Sequence, residues 1–136
     1  MSHVEIGTLN HKNKVTPMEL KLYVYKAHVV SVYDGDTCTV DIDLGLCTWI
    51  RGEKIRLHRI DAPEVRGPER DQGILSRDYL RNLILNREII LQTFKDKKEK
   101  YGRYLGIIWV HDENGNYYNV NDKMVSEGYA VYFDYP

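Results

Sequence analysis

From Leu22 the chain turns to β-branched and aromatic residues, with Tyr23, Val24, Tyr25, Val29, Val30 and Val32 forming a strand signal that runs into the turn pair Asp34-Gly35. Cys38, Val40, Ile42 and Leu44 then interleave with Thr37, Thr39, Asp41 and Asp43, the period of two expected of a strand with one wet face. By that parity Asp36 falls on the apolar side, where a carboxylate is costly unless a partner or a metal compensates it. Gly45 and Gly52 bracket a connection. Glu53 to Ile60 reads as a third strand, stopped at Asp61-Ala62-Pro63-Glu64 because the proline stiffens the corner and pushes residue 62 toward extended geometry. Residues 65–73 read as a polar loop. Ile74, Leu75, Tyr79, Leu80, Leu83 and Ile84 follow at helical spacings and predict an amphipathic helix that ends near Asn86. Ile89 to Phe94 predicts a fourth strand, Lys95 to Arg103 a cationic loop, and Leu105, Ile107 and Trp109 a fifth strand that closes through Asn114-Gly115. Tyr118 to Glu127 predicts a short helix with Gly128 as its stop, and Tyr129 to Tyr132 a last extended piece.

Three strands, a helix, two strands and a small helix point to an α+β, mainly β fold. The expected form is a closed five-stranded antiparallel barrel of the OB-fold pattern, with one main and one short helix packed outside, and a plain α+β sandwich is the rival. Residues 1–20 lack periodicity and are expected to form a flexible N-terminal arm ahead of a single domain over 21–136. A chain of 136 residues, 43% hydrophobic, suffices for one core. Its 19 Lys+Arg against 20 Asp+Glu leave a net charge of −1, which excludes a broadly basic coat for polyanions and makes any such site local. No apolar run approaches the ~20 residues that cross a bilayer. The start Met1-Ser-His-Val-Glu has no signal-peptide character, so a cytoplasmic protein is expected, with Cys38 and Cys47 as reduced thiols and no histidines spaced for zinc.

Polar clusters gather at strand ends: Asp34-Gly35-Asp36-Thr37, Arg56, Asp61-Ala62-Pro63-Glu64 and Lys100-Tyr101-Gly102-Arg103. Each alone has an ordinary reading. Asp-Gly makes turns, Asp61 with Glu64 matches a capping box that predicts a helix from Ala62, and a lysine run is usually a charged hairpin tip. Together they supply what phosphodiester hydrolysis needs. Asp36 and Asp61 are hard oxygen ligands for Ca²⁺ or a similar ion, with a backbone carbonyl and waters filling the shell. Glu64 can take a proton from an attacking water, and Arg56 and Arg103 can fork onto phosphate oxygens. Five cations between Lys95 and Arg103, against Asp96 and Glu99, leave a local +3 for a nucleic-acid backbone.

The three longer motifs, in this order and spacing, resemble the staphylococcal nuclease (thermonuclease) family from about Val29 to Tyr132. The resemblance implies an OB-fold barrel and Ca²⁺-dependent cleavage of DNA and RNA that leaves 3′-phosphates. It carries metal ligation to Asp36, Asp61 and the main-chain oxygen of Ala62, the general base to Glu64, and the phosphate-binding arginines to Arg56 and Arg103. Lys100 and Tyr101 match the family's phosphate-contacting pair, while Tyr132 and Tyr135 are candidates for base stacking. The expected partner is single-stranded or frayed DNA or RNA, with no membrane and the chain a monomer. Three departures stand out: Ala62 replaces a threonine, the loop after Glu64 is short, and the chain stops at Pro136, before the C-terminal helix of the family's secreted members. The alternatives are a non-catalytic OB module for nucleic acid or protein, and an adaptor recruited through Tyr129, Tyr132 and Tyr135. A lost catalytic site would show Asp36, Glu64 or Arg103 replaced, and all three are present.

Overall fold

The computed structural model describes residues 22–134; the expected arm over 1–20 and Tyr135 lie outside the described residues. Three strands come first, β1 (Val24–Asp34), β2 (Thr37–Gly45) and β3 (Thr48–Leu57), followed by the short β4 (Ile60–Asp61). A single 3-10 turn (Gly67–Glu69) leads into α1 (Arg70–Ile84). Then come β5 (Glu88–Lys98), β6 (Tyr104–His111), β7 (Tyr117–Asn119), α2 (Val120–Ser126) and β8 (Val131–Tyr132).

Strands β3, β2, β1, β5 and β6 lie side by side with β7 at the edge, and β3 also pairs with β6, which closes a five-stranded barrel. That closing seam is parallel, with Ile55 opposite Tyr104 and Leu57 opposite Gly106, so the barrel is mixed and not wholly antiparallel as expected. The reason is parity: strands that alternate in direction around a ring of odd number must meet once in the same direction. Inward-facing residues at every second strand position fill the interior, among them Val29, Val40, Ile55, Leu57, Leu91 and Ile108, all essentially without exposure. Burial of each such side chain stabilises the fold by roughly 1.5–3 kcal/mol. Leu80 and Ile84 of α1 and Val120 and Met124 of α2 extend the same core outside the barrel wall.

Several element boundaries differ from the sequence pattern. β3 begins at Thr48, because the turn is only Leu46-Cys47, both at positive φ (55° and 59°), and Gly52 (φ 71°) forms a bulge inside the strand. No helix starts at Ala62, which removes the capping-box reading. Helix α1 begins at Arg70, inside the expected loop, and its buried face is Gly73, Ser76, Leu80, Leu83 and Ile84. Leu75, counted among the apolar face, is instead 57% exposed. Lys95 to Lys98 continue β5, which shortens the cationic loop to the turn after them. Among the described residues no helix is long and apolar enough to cross a membrane. Both cysteines are free thiols, Cys38 buried and Cys47 exposed.

Candidate active site

The turn from β1 to β2 carries two buried carboxylates. Asp34 caps it, its Oδ1 accepting the Asp36 N–H at 3.0 Å. Gly35 between them lies against the Pro63 corner and α1 so closely that a Cβ there would stand 2.7 Å from the Ala62 Cβ and 2.8 Å from the Ser76 Cβ. Turn, corner and helix are thereby clamped together. Asp36, 5% exposed, accepts the Ala62 N–H on Oδ2 at 2.8 Å and the Thr37 hydroxyl on Oδ1 at 3.2 Å.

Arg56 reaches this corner from β3. Its Nη2 lies 3.3 Å from Asp36 Oδ2 and 3.3 Å from Asp61 Oδ1, and its Nη1 donates to the carbonyls of Asp36 and Leu57. One guanidinium thus bridges two carboxylates. It does not neutralise the group: burial, and then the charge of Asp34, push Asp36 up to about 7 against the opposing pull of Arg56. Asp61 is raised as well, first by desolvation and then by the charge of Asp36.

Glu64 follows the proline corner and is exposed toward the same cleft. Its main chain rests on α1 at Gly73, where any Cβ would overlap the Glu64 carbonyl group. Opposite, residues 99–103 close a tight turn in which the Glu99 N–H donates to the Arg103 carbonyl and Gly102 takes φ 79°. The Glu99 carboxylate accepts the main-chain N–H groups of Tyr101 and Arg103. It also grips the Arg103 guanidinium in a two-point contact, Nε to Oε1 and Nη2 to Oε2, each 3.0 Å. These bonds, the Arg103 side chain first, hold the Glu99 carboxyl down at about 2. Arg103 Nη1 donates in turn to Thr37 Oγ1 at 3.3 Å, which connects this turn to the Asp36 corner.

A cleft of about 960 Å³ therefore brings together Asp36, Arg56, Asp61, Glu64, Lys100, Tyr101 and Arg103, drawn from four separate parts of the chain. Tyr132 is not brought there. Its hydroxyl donates to Asp122 Oδ1 at 3.0 Å, and the Arg59 guanidinium sits 6.0 Å from its ring. Residues alternate sides along the extended C-terminal segment, so Phe133 faces the cleft instead. Sequence reasoning passed over four contributors: Asp34 as a second buried acid, Glu99 as the anchor of Arg103, Gly73 beneath Glu64, and Tyr33 on the rim. Only Glu99 had a legible signal, an acid four positions before an arginine.

Among the described residues no group of three His, Cys, Asp or Glu side chains is arranged as a metal centre. The donor chemistry nevertheless fits a hard divalent cation, because desolvated carboxylates that repel one another share a single arginine. Calcium takes backbone and water oxygens besides carboxylates.

Barrel and cleft together define an OB-fold protein with carboxylates and arginines gathered at one rim. A family model described as "Staphylococcal nuclease homologue" matches residues 54–136. The chain is 32% identical over 111 residues to a protein named thermonuclease from Staphylococcus intermedius, covering 79% of this chain and 60% of that one. It is 30% identical over 105 residues to a thermonuclease from Staphylococcus hyicus (75% of this chain, 56% of that one). An uncharacterized protein of Methanocaldococcus jannaschii is 29% identical over 127 residues, covering 78% of this chain and 58% of its own length. The chain belongs to the staphylococcal nuclease family. It spans about three fifths of the length of the curated relatives it matches.

Proposed function

We propose that this protein is a calcium-dependent phosphodiesterase that hydrolyses single-stranded or frayed DNA or RNA. The observation that carries the reading is the convergence of Asp36, Asp61 and Glu64 with Arg56 and Arg103 on one cleft; the names of the two staphylococcal relatives support it. A binding module has no use for three converging carboxylates, which would repel a polyanion.

The Asp36 and Asp61 carboxylates and the Ala62 main-chain oxygen would hold the calcium ion, which when bound polarises the phosphoryl group and offsets its charge. Glu64 takes a proton from the attacking water as the water oxygen bonds to phosphorus. The bond from phosphorus to the 5′-oxygen breaks, that oxygen is protonated from solvent, and a 3′-phosphate remains. Arg103 and Arg56 donate to the equatorial oxygens, where negative charge builds in the transition state. Lys100 and Tyr101 meet the neighbouring phosphate at the cleft mouth.

The test is incubation of the protein with denatured DNA and with RNA in calcium, magnesium or chelator, beside Glu64→Gln. Calcium-dependent breakdown that the variant loses, with calcium binding retained in calorimetry, is the expected result. Loss of calcium binding in Glu64→Gln would make that residue a ligand and not a base. Intact substrate under every ion, with a retained gel shift, would leave a non-catalytic OB module.

A further inference from the structure

Beside the carboxylate cleft runs a second groove, of about 680 Å³, with the ends of β1 and β2 on one side and α1 on the other. Six cations line it (Lys54, Arg66, Arg70, Arg77, Arg81 and Arg103), and no carboxylate does. In a chain of net charge −1 such a cluster is a local feature of this face. Spacings of seven and four residues place Arg70, Arg77 and Arg81 on one side of α1. The helix is pinned in that orientation by Arg81, whose Nε and Nη2 donate to the Val32 carbonyl at 3.3 and 3.0 Å. Asp71 and Asp78 pair with this row from outside the groove. Glu99 pairs with Arg103 as well, and three acids against six cations still leave a positive surplus.

Groove and cleft are continuous, since Tyr33, Lys54 and Arg103 line both. The Tyr33 side chain stands on this shared rim 54% exposed, and Tyr101 across the cleft is 71% exposed. Open tyrosine rings stack on base faces, which an unpaired strand offers and a duplex conceals.

We propose that the groove is a second phosphate track, which holds the single-stranded nucleic acid as it leaves the cleavage cleft, with Arg66 and Arg70, which line the groove and not the cleft, among its contacts. The identity of the occupant rests on the nuclease reading above. The groove's own evidence is its charge, its continuity with the cleft and the shared tyrosine.

The test is binding alone, in EDTA so that calcium-dependent cleavage does not intervene. Fluorescein-labelled thymidine dinucleotide and an oligothymidylate of about 12 nucleotides, within the span that one OB barrel covers, are titrated by anisotropy across a range of NaCl. Arg66 and Arg70 are exposed, and circular dichroism verifies that Arg66→Ala/Arg70→Ala folds. The double variant is expected to lose about tenfold or more in affinity for the longer strand, with a much smaller loss for the dinucleotide. Its slope of log affinity on log salt falls by about 1.4, two single-strand phosphate contacts at ~0.7 each. Arg66→Lys/Arg70→Lys keeps most of the slope. A double alanine variant with wild-type length preference and salt slope would overturn the proposal, as would a wild-type protein that prefers the long strand no more than the dinucleotide. A protein that shows the groove-dependent preference yet cleaves no substrate keeps the track and loses the nuclease reading. One that cleaves but is indifferent to the double substitution does the reverse.

Discussion

Gly73 is the fourth residue of α1, within a helix where alanine would ordinarily be more stabilising by about 1 kcal/mol. Here a Cβ would overlap the carbonyl of Glu64, and both contacting atoms belong to backbone that cannot swing aside. Gly73→Ala is therefore expected to lower the thermal midpoint, against the propensity rule. On the mechanism proposed above, turnover should fall by up to about 100-fold as Glu64, the proposed base, is displaced. Melting curves and single-turnover cleavage check it; a more stable variant with wild-type turnover would show that the loop yields freely. The same logic applies at Gly35, where the overlap is with the Ala62 and Ser76 side chains.

The turn between β5 and β6 works as a unit built on Glu99. Its carboxyl is held at about 2, below the ordinary 4.5, mainly by the Arg103 side chain and the turn's own N–H groups. A folded-state value below the unfolded one contributes stability that is complete above about pH 4.5 and lost as pH falls toward 2. Urea denaturation of wild type and Glu99→Gln should show a stability difference that is full near neutrality and shrinks through that acid window. A difference constant with pH would separate the fold from this ionisation. Glu99→Gln should also lower turnover, by up to about 100-fold, because Arg103 loses its two-point orientation while keeping its charge.

For the whole molecule, barrel and outer helix are joined by Asn121. Its side chain, 3% exposed with its residue, donates to the carbonyls of His58 and Gly106 and accepts the N–H of Ile108. It thus spans the parallel seam, β3 with its following turn on one side and β6 on the other, from the start of α2. Truncation would remove this partner from the His58 carbonyl and the Ile108 amide, while the Gly106 carbonyl keeps the His58 N–H, at about 1–3 kcal/mol for each group left unsatisfied in the interior. Asn121→Ala is expected to cost roughly 3 kcal/mol or more in urea-denaturation free energy, and a loss below about 1 kcal/mol would mean that water replaces the side chain.

The β-branched and aromatic run in β1, the alternation in β2 and β6 and the apolar spacing in α1 made the order of elements legible, because those patterns follow from which side of each element meets the core. The candidate residues that gather in the cleft were equally legible. Asp36, Asp61, Glu64, Arg56 and Arg103 stand in motifs at element ends, and Asp36 broke the hydrophobic parity of its strand. What tertiary structure alone decided depends on residues distant in the chain. The parallel seam follows from closing an odd number of strands. The placing of Arg56 between two carboxylates, the seat of Glu64 on Gly73 and the turning of Tyr132 toward Asp122 arise from packing between elements that local periodicity does not encode. Arg77 and Arg81 stood in the sequence as polar positions of the amphipathic helix, and Arg66 and Arg70 within the expected loop over 65–73. Only the docking of that helix across the end of β1 set these arginines beside the cleft.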